Sequence, residues 1–270
     1  MKQLRTQTIL PAFLSFLLAA SLLVACDEEQ VVPPPSETVL ASGVVYAMPM
    51  QSPLGGATVQ LITNEFLLDD PNYVAPCVCQ GNLCSVNTTS NPDGSWEMEV
   101  PVKYTETWAP LNMLMKVSSD VGPPQYNLFQ PGGTNQGDLQ ILTTFFYNIF
   151  ALTSGASFSD LLGGQLAVFL GVAIGFINTD YPQDIQTLGG VTVTAQGGDP
   201  PEEFPITYLL GAGETSDLGI YYFSVPDASA APLVIQLTGE KPGSSFVGGF
   251  YPACPGSSTG AAVIDPYYRP

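Results

Sequence analysis

This chain of 270 residues contains no histidine. Its candidates for catalysis or ligand binding are five cysteines, scattered carboxylates and twelve tyrosines. Without an imidazole, Ser/His catalysis, Cys/His catalysis and His-ligated metals are excluded. Glu97 and Glu99 lie two apart, roughly 6 to 7 Å along a strand, a separation compatible with glycoside hydrolysis. They alternate with Trp96, Met98 and Val100, which favours a solvated strand face instead. We therefore expect no enzyme activity, no metal and no cofactor.

Two further groups of residues are less specific. Gly256-Ser257-Ser258-Thr259-Gly260 has the letters of a Gly-x-Ser-x-Gly nucleophile elbow, but no histidine exists to deprotonate Ser258, so we expect a flexible loop. Tyrosines of the C-terminal half could instead form a sugar- or peptide-binding face, although aromatic residues at alternate strand positions more often belong to a core. These candidate ligand-facing residues are Tyr221, Tyr222, Tyr251, Tyr267 and Tyr268.

The N-terminus has the pattern of an export signal. Lys2 and Arg5 precede an uncharged run from residue 9 to residue 25. The run ends in Leu23-Val24-Ala25-Cys26, which resembles the lipobox of bacterial lipoproteins. The resemblance implies cleavage after residue 25, a diacylglyceryl thioether on Cys26, and usually an acyl chain such as palmitate on its amine, which together anchor a protein stably. An ordinary signal peptide or an uncleaved helix is the alternative.

The remaining cysteines suit an oxidising compartment. Cys77, Cys79, Cys84 and Cys254 are an even number, so we expect disulfides. A bridge across the single residue between Cys77 and Cys79 would be strained, which leaves one of them for Cys84 and the other for Cys254. A zinc site of four thiolates is the rival interpretation, but the chain lacks paired Cys-x₂-Cys knuckles.

The charge limits the partners. The formal charge is −18, and removal of residues 1–25 takes away two of the six basic and none of the 24 acidic residues, which gives −20. Such a chain does not suit nucleic acid or an anionic membrane surface. Residues 27–38, with Pro33-Pro34-Pro35 at their centre, have the composition of an extended spacer. We expect a protein of the bacterial cell envelope, held at the outer membrane through its N-terminal lipid, with an envelope protein or a glycan as partner.

The chain also contains an internal repeat. Leu54-Gly55-Gly56-Ala57-Thr58-Val59-Gln60-Leu61 recurs as Leu188-Gly189-Gly190-Val191-Thr192-Val193-Thr194-Ala195, and each copy is a Gly-Gly turn followed by an alternating strand. The blocks after Gly94 and Gly219 also agree, with apolar residues at every second position and then proline. Because a slip of one residue would reverse every side chain, a shared phase is strong evidence of duplication. Gly43 to Tyr46 with Gly171 to Ile174, and Pro110 to Met115 with Pro232 to Leu237, are weaker matches. The longer spacing in the first copy indicates an insertion, Phe66 to Ser85.

The first copy resembles the carboxypeptidase regulatory-like domain, a small transthyretin-like β-sandwich. The resemblance is carried by Pro53-Leu54-Gly55-Gly56-Ala57, Asp93-Gly94 and the closing Pro101. The second copy has Asp217-Leu218-Gly219 where Asp-Gly is expected. The resemblance implies a mainly β fold of two such antiparallel sandwiches in tandem, and it is nearly silent on function. A sandwich of another topology is the alternative.

One helix is predicted between the copies. Leu142, Phe145, Phe146, Ile149 and Phe150 have helical spacing, with Asp138 as a possible cap and Gly155 as a possible end. The uncharged run 161–177 could be a short transmembrane helix, but it aligns with the first strand of the first copy. The predicted organisation is a signal peptide (1–25), a tether (26–38), a first sandwich (39–137), a helical connector (138–165) and a second sandwich (166–270). The chain is therefore expected to be a non-catalytic structural, adhesive or protein-binding module; a carbohydrate-binding module and a carboxylate-dependent hydrolase are lower-ranked alternatives.

Overall fold

The computed structural model describes residues 38–63, 87–101, 113–128, 137–176, 185–228 and 233–265. The predicted lipid site Cys26, three of the predicted disulfide residues (Cys77, Cys79 and Cys84) and two of the tyrosines (Tyr267 and Tyr268) lie outside these ranges. Residues 37–270 form one compact unit.

The first repeat is a two-layered set of strands. In the described residues these are β1 (Thr38–Met48), β2 (Ser52–Pro53), β3 (Thr58–Thr63), β4 (Asn87–Thr89), β5 (Ser95–Pro101), β6 (Met113–Ser118), β7 (Gln125–Leu128) and β8 (Leu139–Leu142). One layer has β1 at its centre, antiparallel to β2 and β5 and parallel to β8. In the other layer, β3 pairs antiparallel with β4 and β6, and β6 pairs with β7.

The second repeat uses the same pairing scheme. Its strands are β9 (Ala167–Phe176), β10 (Ile185–Thr187), β11 (Thr192–Gly197), β12 (Glu202–Phe204), β13 (Thr207–Tyr208), β14 (Ile220–Val225), β15 (Leu233–Lys241), β16 (Ser244–Ala253) and β17 (Ser257–Asp265). The strand β9 is antiparallel to β10 and β14 and parallel to β17, as β1 is to β2, β5 and β8. The strand β11 pairs with β12 and β15, as β3 pairs with β4 and β6. The strand β15 pairs with β16, as β6 pairs with β7. The four strand matches read from the sequence, β1 with β9, β3 with β11, β5 with β14 and β6 with β15, hold equivalent places, which confirms the internal repeat.

The repeated Gly-Gly turn has the same backbone geometry in both copies. Gly56 and Gly190 have φ values of +76° and +74°, a region that favours glycine because it has no Cβ. A buried hydroxyl closes each turn. Ser90 Oγ accepts a hydrogen bond from Ala57 N at 3.0 Å and donates to Leu54 O at 2.7 Å. Thr215 Oγ1 accepts from Val191 N at 3.0 Å and donates to Leu188 O at 2.7 Å. We call each such hydroxyl with its two bonds a turn clamp.

Each repeat has its own hydrophobic core, and the predicted strand phase fills it. The alternating residues of β3 and β5 are buried in the first core, and those of β11 and β14 in the second. Glu97 and Glu99 are exposed on the opposite face of β5, as expected for a half-buried strand. The fold is therefore mainly β and sandwich-like. Of the strands within the described ranges, four (β2, β1, β5 and β8) are in one sheet and thirteen in another.

Two helices lie between the repeats, α1 (Thr144–Thr153) and α2 (Phe158–Gly163). The predicted helix is confirmed as α1, and Gly155 follows its end with a φ of +94°. The predicted cap is wrong: Thr143 occupies the N-cap position, and the Asp138 carboxylate accepts a hydrogen bond from Val44 N at 3.2 Å. The second helix was not predicted. It begins with a capping box in which Ser157 and Asp160 bond each other's backbone amides.

Residues 167–176 of the uncharged run that could have been a transmembrane helix form the strand β9. Its inward side chains, Ala167, Phe169 and Ala173, belong to the second core, whereas Val168 on the other face packs in the cluster beneath α1. Because both faces are covered, the strand is apolar throughout instead of alternating. In the part of the chain that the structure describes, no helix is long and apolar enough to span a membrane.

Candidate functional site

The two repeats meet along a short parallel ladder between β7 and β17. Gln125 pairs with Ser258 and Tyr126 with Thr259, and Ser258 N donates to Pro124 O at 3.0 Å. The strand β17 thus lies between β9 of its own repeat and β7 of the first. Main-chain hydrogen bonds across a boundary fix the relative register of the strands that carry them. We call this region the junction.

Side-chain amides complete the junction on the side of the first repeat. Gln125 Oε1 accepts a hydrogen bond from Leu142 N at 2.6 Å. Asn127 Oδ1 accepts from Gln140 N at 3.1 Å, and Asn127 Nδ2 donates to Gln140 O at 2.9 Å. Gln125 and Asn127 are 2% and 8% exposed. These two side chains bond the backbone of β8 in place of a neighbouring strand.

A tyrosine completes the junction on the other side. Where β16 diverges from β17, Tyr251 Oη donates to Ala262 O at 2.9 Å and accepts from Ala262 N at 3.1 Å. Burial raises the pKa of Tyr251 well above its usual range because the phenolate would be desolvated. The hydroxyl is therefore neutral and can serve as both donor and acceptor.

A cleft of about 560 Å³ opens between the repeats at the junction. Its wall from the second repeat is apolar and includes Leu170, Val172 and Ile220, while amides of the first repeat face it. Asp138 is the one charged residue among the described residues that line it. A lining of apolar groups, amides and one carboxylate can bind an extended or apolar group, but it does not pair a nucleophile with a base.

The Gly-x-Ser-x-Gly segment is not a loop. Ser257, Ser258 and Thr259 belong to β17. Ser258 is fully buried, and its hydroxyl has no hydrogen-bond partner among the described residues. The expectation of a flexible loop is wrong because the segment forms the ladders to β9 and β7. A hydroxyl in this position cannot reach a substrate.

Three of the five predicted ligand-facing tyrosines are inside the protein. Tyr221, Tyr222 and Tyr251 are 0%, 8% and 1% exposed. The ring of Tyr221 lies over Gly171 in the second core, and that of Tyr222 packs against Phe150 of α1 with 4.9 Å between centroids. The expectation of a ligand face is wrong for these three: Tyr221 and Tyr251 belong to the second core, and α1 covers Tyr222 on the outer face of β14.

The remaining predicted site residues within the described ranges are dispersed. Cys254 is 3% exposed, directly after β16, and its carbonyl accepts a hydrogen bond from Ser257 Oγ. Glu97 and Glu99 are on the first repeat, and Glu97 borders a separate cleft of about 440 Å³ with Asp138. The functional residues that the sequence did not indicate are Gln125 and Asn127. Nothing distinguishes them in sequence from the solvent side of an alternating strand.

No family model matches the chain, and no curated protein does. Among solved structures, it is similar to shaft pilin SpaA of Lactobacillus rhamnosus GG, with 8% identity, 87% of this chain and 100% of that chain covered, and a TM-score of 0.26. A minor pilin of Streptococcus agalactiae shares 10% identity over 83% of this chain and 96% of that chain, with a TM-score of 0.25. A streptococcal ancillary pilin shares 7% identity over 87% of this chain and 64% of that chain, with a TM-score of 0.23. Similarity at this level carries no functional conclusion. The class that the structure itself defines is a mainly β protein built from two repeats of one strand arrangement.

Proposed function

We propose that this protein is a non-catalytic structural or adhesive module of the bacterial cell envelope, held by an N-terminal lipid. The observation that carries the proposal is the junction, where β7 and β17 join the repeats by main-chain pairing supported by Gln125 and Asn127. A fixed joint between two sandwiches suits a protein that holds a partner at a distance. The side-chain amides at the joint bond the backbone of β8 and so have a structural role.

The lipid anchor belongs to the same proposal. Cys26 precedes β1 by twelve residues, so the tether spans at most about 40 Å when fully extended. A Cys26→Ala variant should lose incorporation of labelled palmitate and should leave the membrane fraction, whereas the matched Cys254→Ala variant should keep both. Labelling that persists in Cys26→Ala would contradict the anchor.

We further propose that each repeat is a transthyretin-like sandwich of the carboxypeptidase regulatory-like kind. Supporting it, the first strand of each repeat lies between an antiparallel partner (β5 or β14) and a parallel last strand (β8 or β17). The turn clamp follows the Gly-Gly turn in both copies. Neither feature depends on the insertion in the first repeat.

We also propose that Cys254 is bonded to Cys77 or Cys79, which would attach the insertion of the first repeat to the second. Cys254 is 3% exposed, directly after β16, and such burial would protect a disulfide from reductants. Tryptic mapping without reduction should find the peptide that contains Cys254 linked to the peptide that contains residues 77–84. A free Cys254 thiol in the exported protein would contradict the pairing.

The role is tested by cross-linking the anchored protein in cells and identifying what it holds. A reproducible set of envelope proteins would support the structural module. Turnover of a polysaccharide that is abolished by Glu97→Gln would contradict a non-catalytic role. Binding to glycan remains the lesser candidate, because three of its five proposed aromatic contacts are buried.

A further inference from the structure

The α1–α2 hairpin carries the largest concentration of exposed apolar side chains in the described residues. Phe145, Phe158 and Leu162 are 67%, 72% and 87% exposed, and Ile149 and Leu152 are 36% and 37% exposed. We call these five residues the helical tip. Single exposed apolar residues are ordinary on a protein surface, but a cluster of this size is not.

The spacing places the members of the tip on one stripe of each helix. Residues 145, 149 and 152 lie at i, i+4 and i+7 of α1, and residues 158 and 162 lie at i and i+4 of α2. The opposite side of α1 is buried through Tyr147 and Ala151. The helix α1 is therefore apolar on both sides and has an unpartnered outer face, which is unusual for a surface helix.

The tip carries little charge in a strongly acidic chain. Neither charged residues nor histidines occur in α1, and the only one in α2 is Asp160. The Asp160 carboxylate is held by Ser157, whose amide and hydroxyl donate at 2.9 and 2.7 Å and keep the pKa of Asp160 below its usual value. The other acidic residues lie outside the two helices. Salt at physiological strength screens their repulsion of an approaching acidic partner beyond roughly 8 Å.

The tip lies away from the point where the tether enters the fold. Thr143 N, at the start of α1, donates to Met48 O at 3.4 Å, so α1 begins beside the last residue of β1. The first residue of β1, Thr38, is ten residues away along the strand, which is about 33 Å. On the proposed function, on which this step rests, the tip is thus near the end of β1 opposite to the end at which the tether joins the fold.

We propose that the helical tip binds the helical tip of a second copy of this chain. Two aromatic and three aliphatic side chains at these exposures give an apolar patch on the order of 500 Å². Two such patches face to face would cover about 1,000 Å², which is the lower limit for a specific interface and predicts a weak, symmetric dimer. A second copy carries the same acidic charge, so the repulsion between copies opposes the covered apolar area and makes the dimer depend on salt.

The experiment uses the full mature chain with Cys26→Ala, so that self-association is measured independently of the anchor. Sedimentation velocity between 1 and 200 µM should show the average mass rising toward a dimer, more steeply as NaCl increases from 50 to 500 mM, because salt screens the repulsion between acidic copies. Phe158→Asp and Leu162→Asp should each weaken dimerisation at least tenfold. Leu210→Asp, at an apolar position 83% exposed in a turn outside the tip, is the matched control and should leave it unchanged.

In cells, a photo-crosslinking amino acid at residue 162 of the lipidated protein should give a product of twice the chain's mass, and the same group at residue 210 should not. A monomer at 200 µM, or a dimer unaffected by Leu162→Asp, overturns the proposal. So does binding of the unlipidated chain to phosphatidylethanolamine–phosphatidylglycerol vesicles that Leu162→Asp abolishes, which would assign the tip to lipid. The sedimentation experiment uses the unlipidated chain, so a negative palmitate assay leaves its result unaffected, and failure of the anchor and failure of the tip are distinguishable.

Discussion

Two variants test whether the two repeats unfold as one unit. Ser90→Ala removes the turn clamp of the first repeat, and Thr215→Val removes that of the second. The two hydroxyls are 4% and 3% exposed, and each makes one accepted and one donated hydrogen bond of matching length. A buried bond contributes about 1 kcal/mol net, and an amide left without a partner adds about 1 to 3 kcal/mol. We expect each variant to lose about 2 to 4 kcal/mol of unfolding free energy.

The two tryptophans make the assay selective. Trp96 and Trp108 both belong to the first repeat, so tryptophan fluorescence reports that repeat, while far-ultraviolet circular dichroism reports both. With a urea slope on the order of 3 kcal/mol/M, the midpoint should fall by about 1 M in each variant. If the junction couples the repeats, Thr215→Val shifts the fluorescence midpoint as far as Ser90→Ala does, and the two probes give coincident curves.

An unchanged fluorescence midpoint in Thr215→Val, with a second transition visible by circular dichroism, would refute the coupling. If the two single variants lost amounts of unfolding free energy that differ by more than about 1 kcal/mol, the two clamps would not be physically equivalent. In the double variant the losses should add within about 0.5 kcal/mol, because the clamps share no partners.

Three further changes test the packing around the junction and the helices. Gly171→Ala should lower the unfolding free energy by about 1 to 3 kcal/mol, and the melting temperature with it, because a Cβ there would overlap the ring of Tyr221. Gly163→Ala should be nearly neutral, because a Cβ there would meet only Gln165 Cγ, at an ordinary contact distance of 3.8 Å. Tyr147→Phe removes a hydrogen bond of 2.8 Å to a main-chain carbonyl and should cost about 1 kcal/mol in urea unfolding at pH 7. Burial raises the pKa of Tyr147 to about 12, so the unfolded chain ionises first and wild-type stability falls as the pH rises from 10 to 12; the phenylalanine variant should lose less over that range. Asn127→Ala should cost about 2 kcal/mol and should speed amide exchange in β8, and unchanged exchange there would show that this side chain does not hold the strand.

The repeated strands were predictable because their signals are local. The turns at Gly56 and Gly190 need positive φ, and the strands that follow alternate with period two, so the residue types indicate both the turn and the buried face. The helix α1 was predictable for the same reason. Its cap was not, because residues 139–142 form β8, which separates Asp138 from the N-cap position at Thr143. The Asp138 carboxylate accepts from Val44 N instead.

Residues whose environment is set by distant elements could not be assigned in this way. Tyr222 is on the face of β14 that alternation assigns to solvent, and α1 covers it. Ser258 has the sequence surroundings of a loop, but a strand on each side holds it in β17. In each case a tertiary contact overrides the local preference, which depends on packing more strongly in strands than in helices.

The junction follows from a difference between the two repeats. In the second repeat the last strand, β17, pairs with β9 over nine residues, from Ser257 to Asp265. In the first repeat β8 pairs with β1 over only four, from Leu139 to Leu142. The outer edge of β7 is consequently not used by β8 and is paired with β17, while the amides of Gln125 and Asn127 satisfy the backbone of β8 from the side. An exposed strand edge is a site for pairing with another chain. Here the edge that duplication left open is closed by the second copy of the same fold, which turns a potential site of aggregation into the contact that joins the repeats.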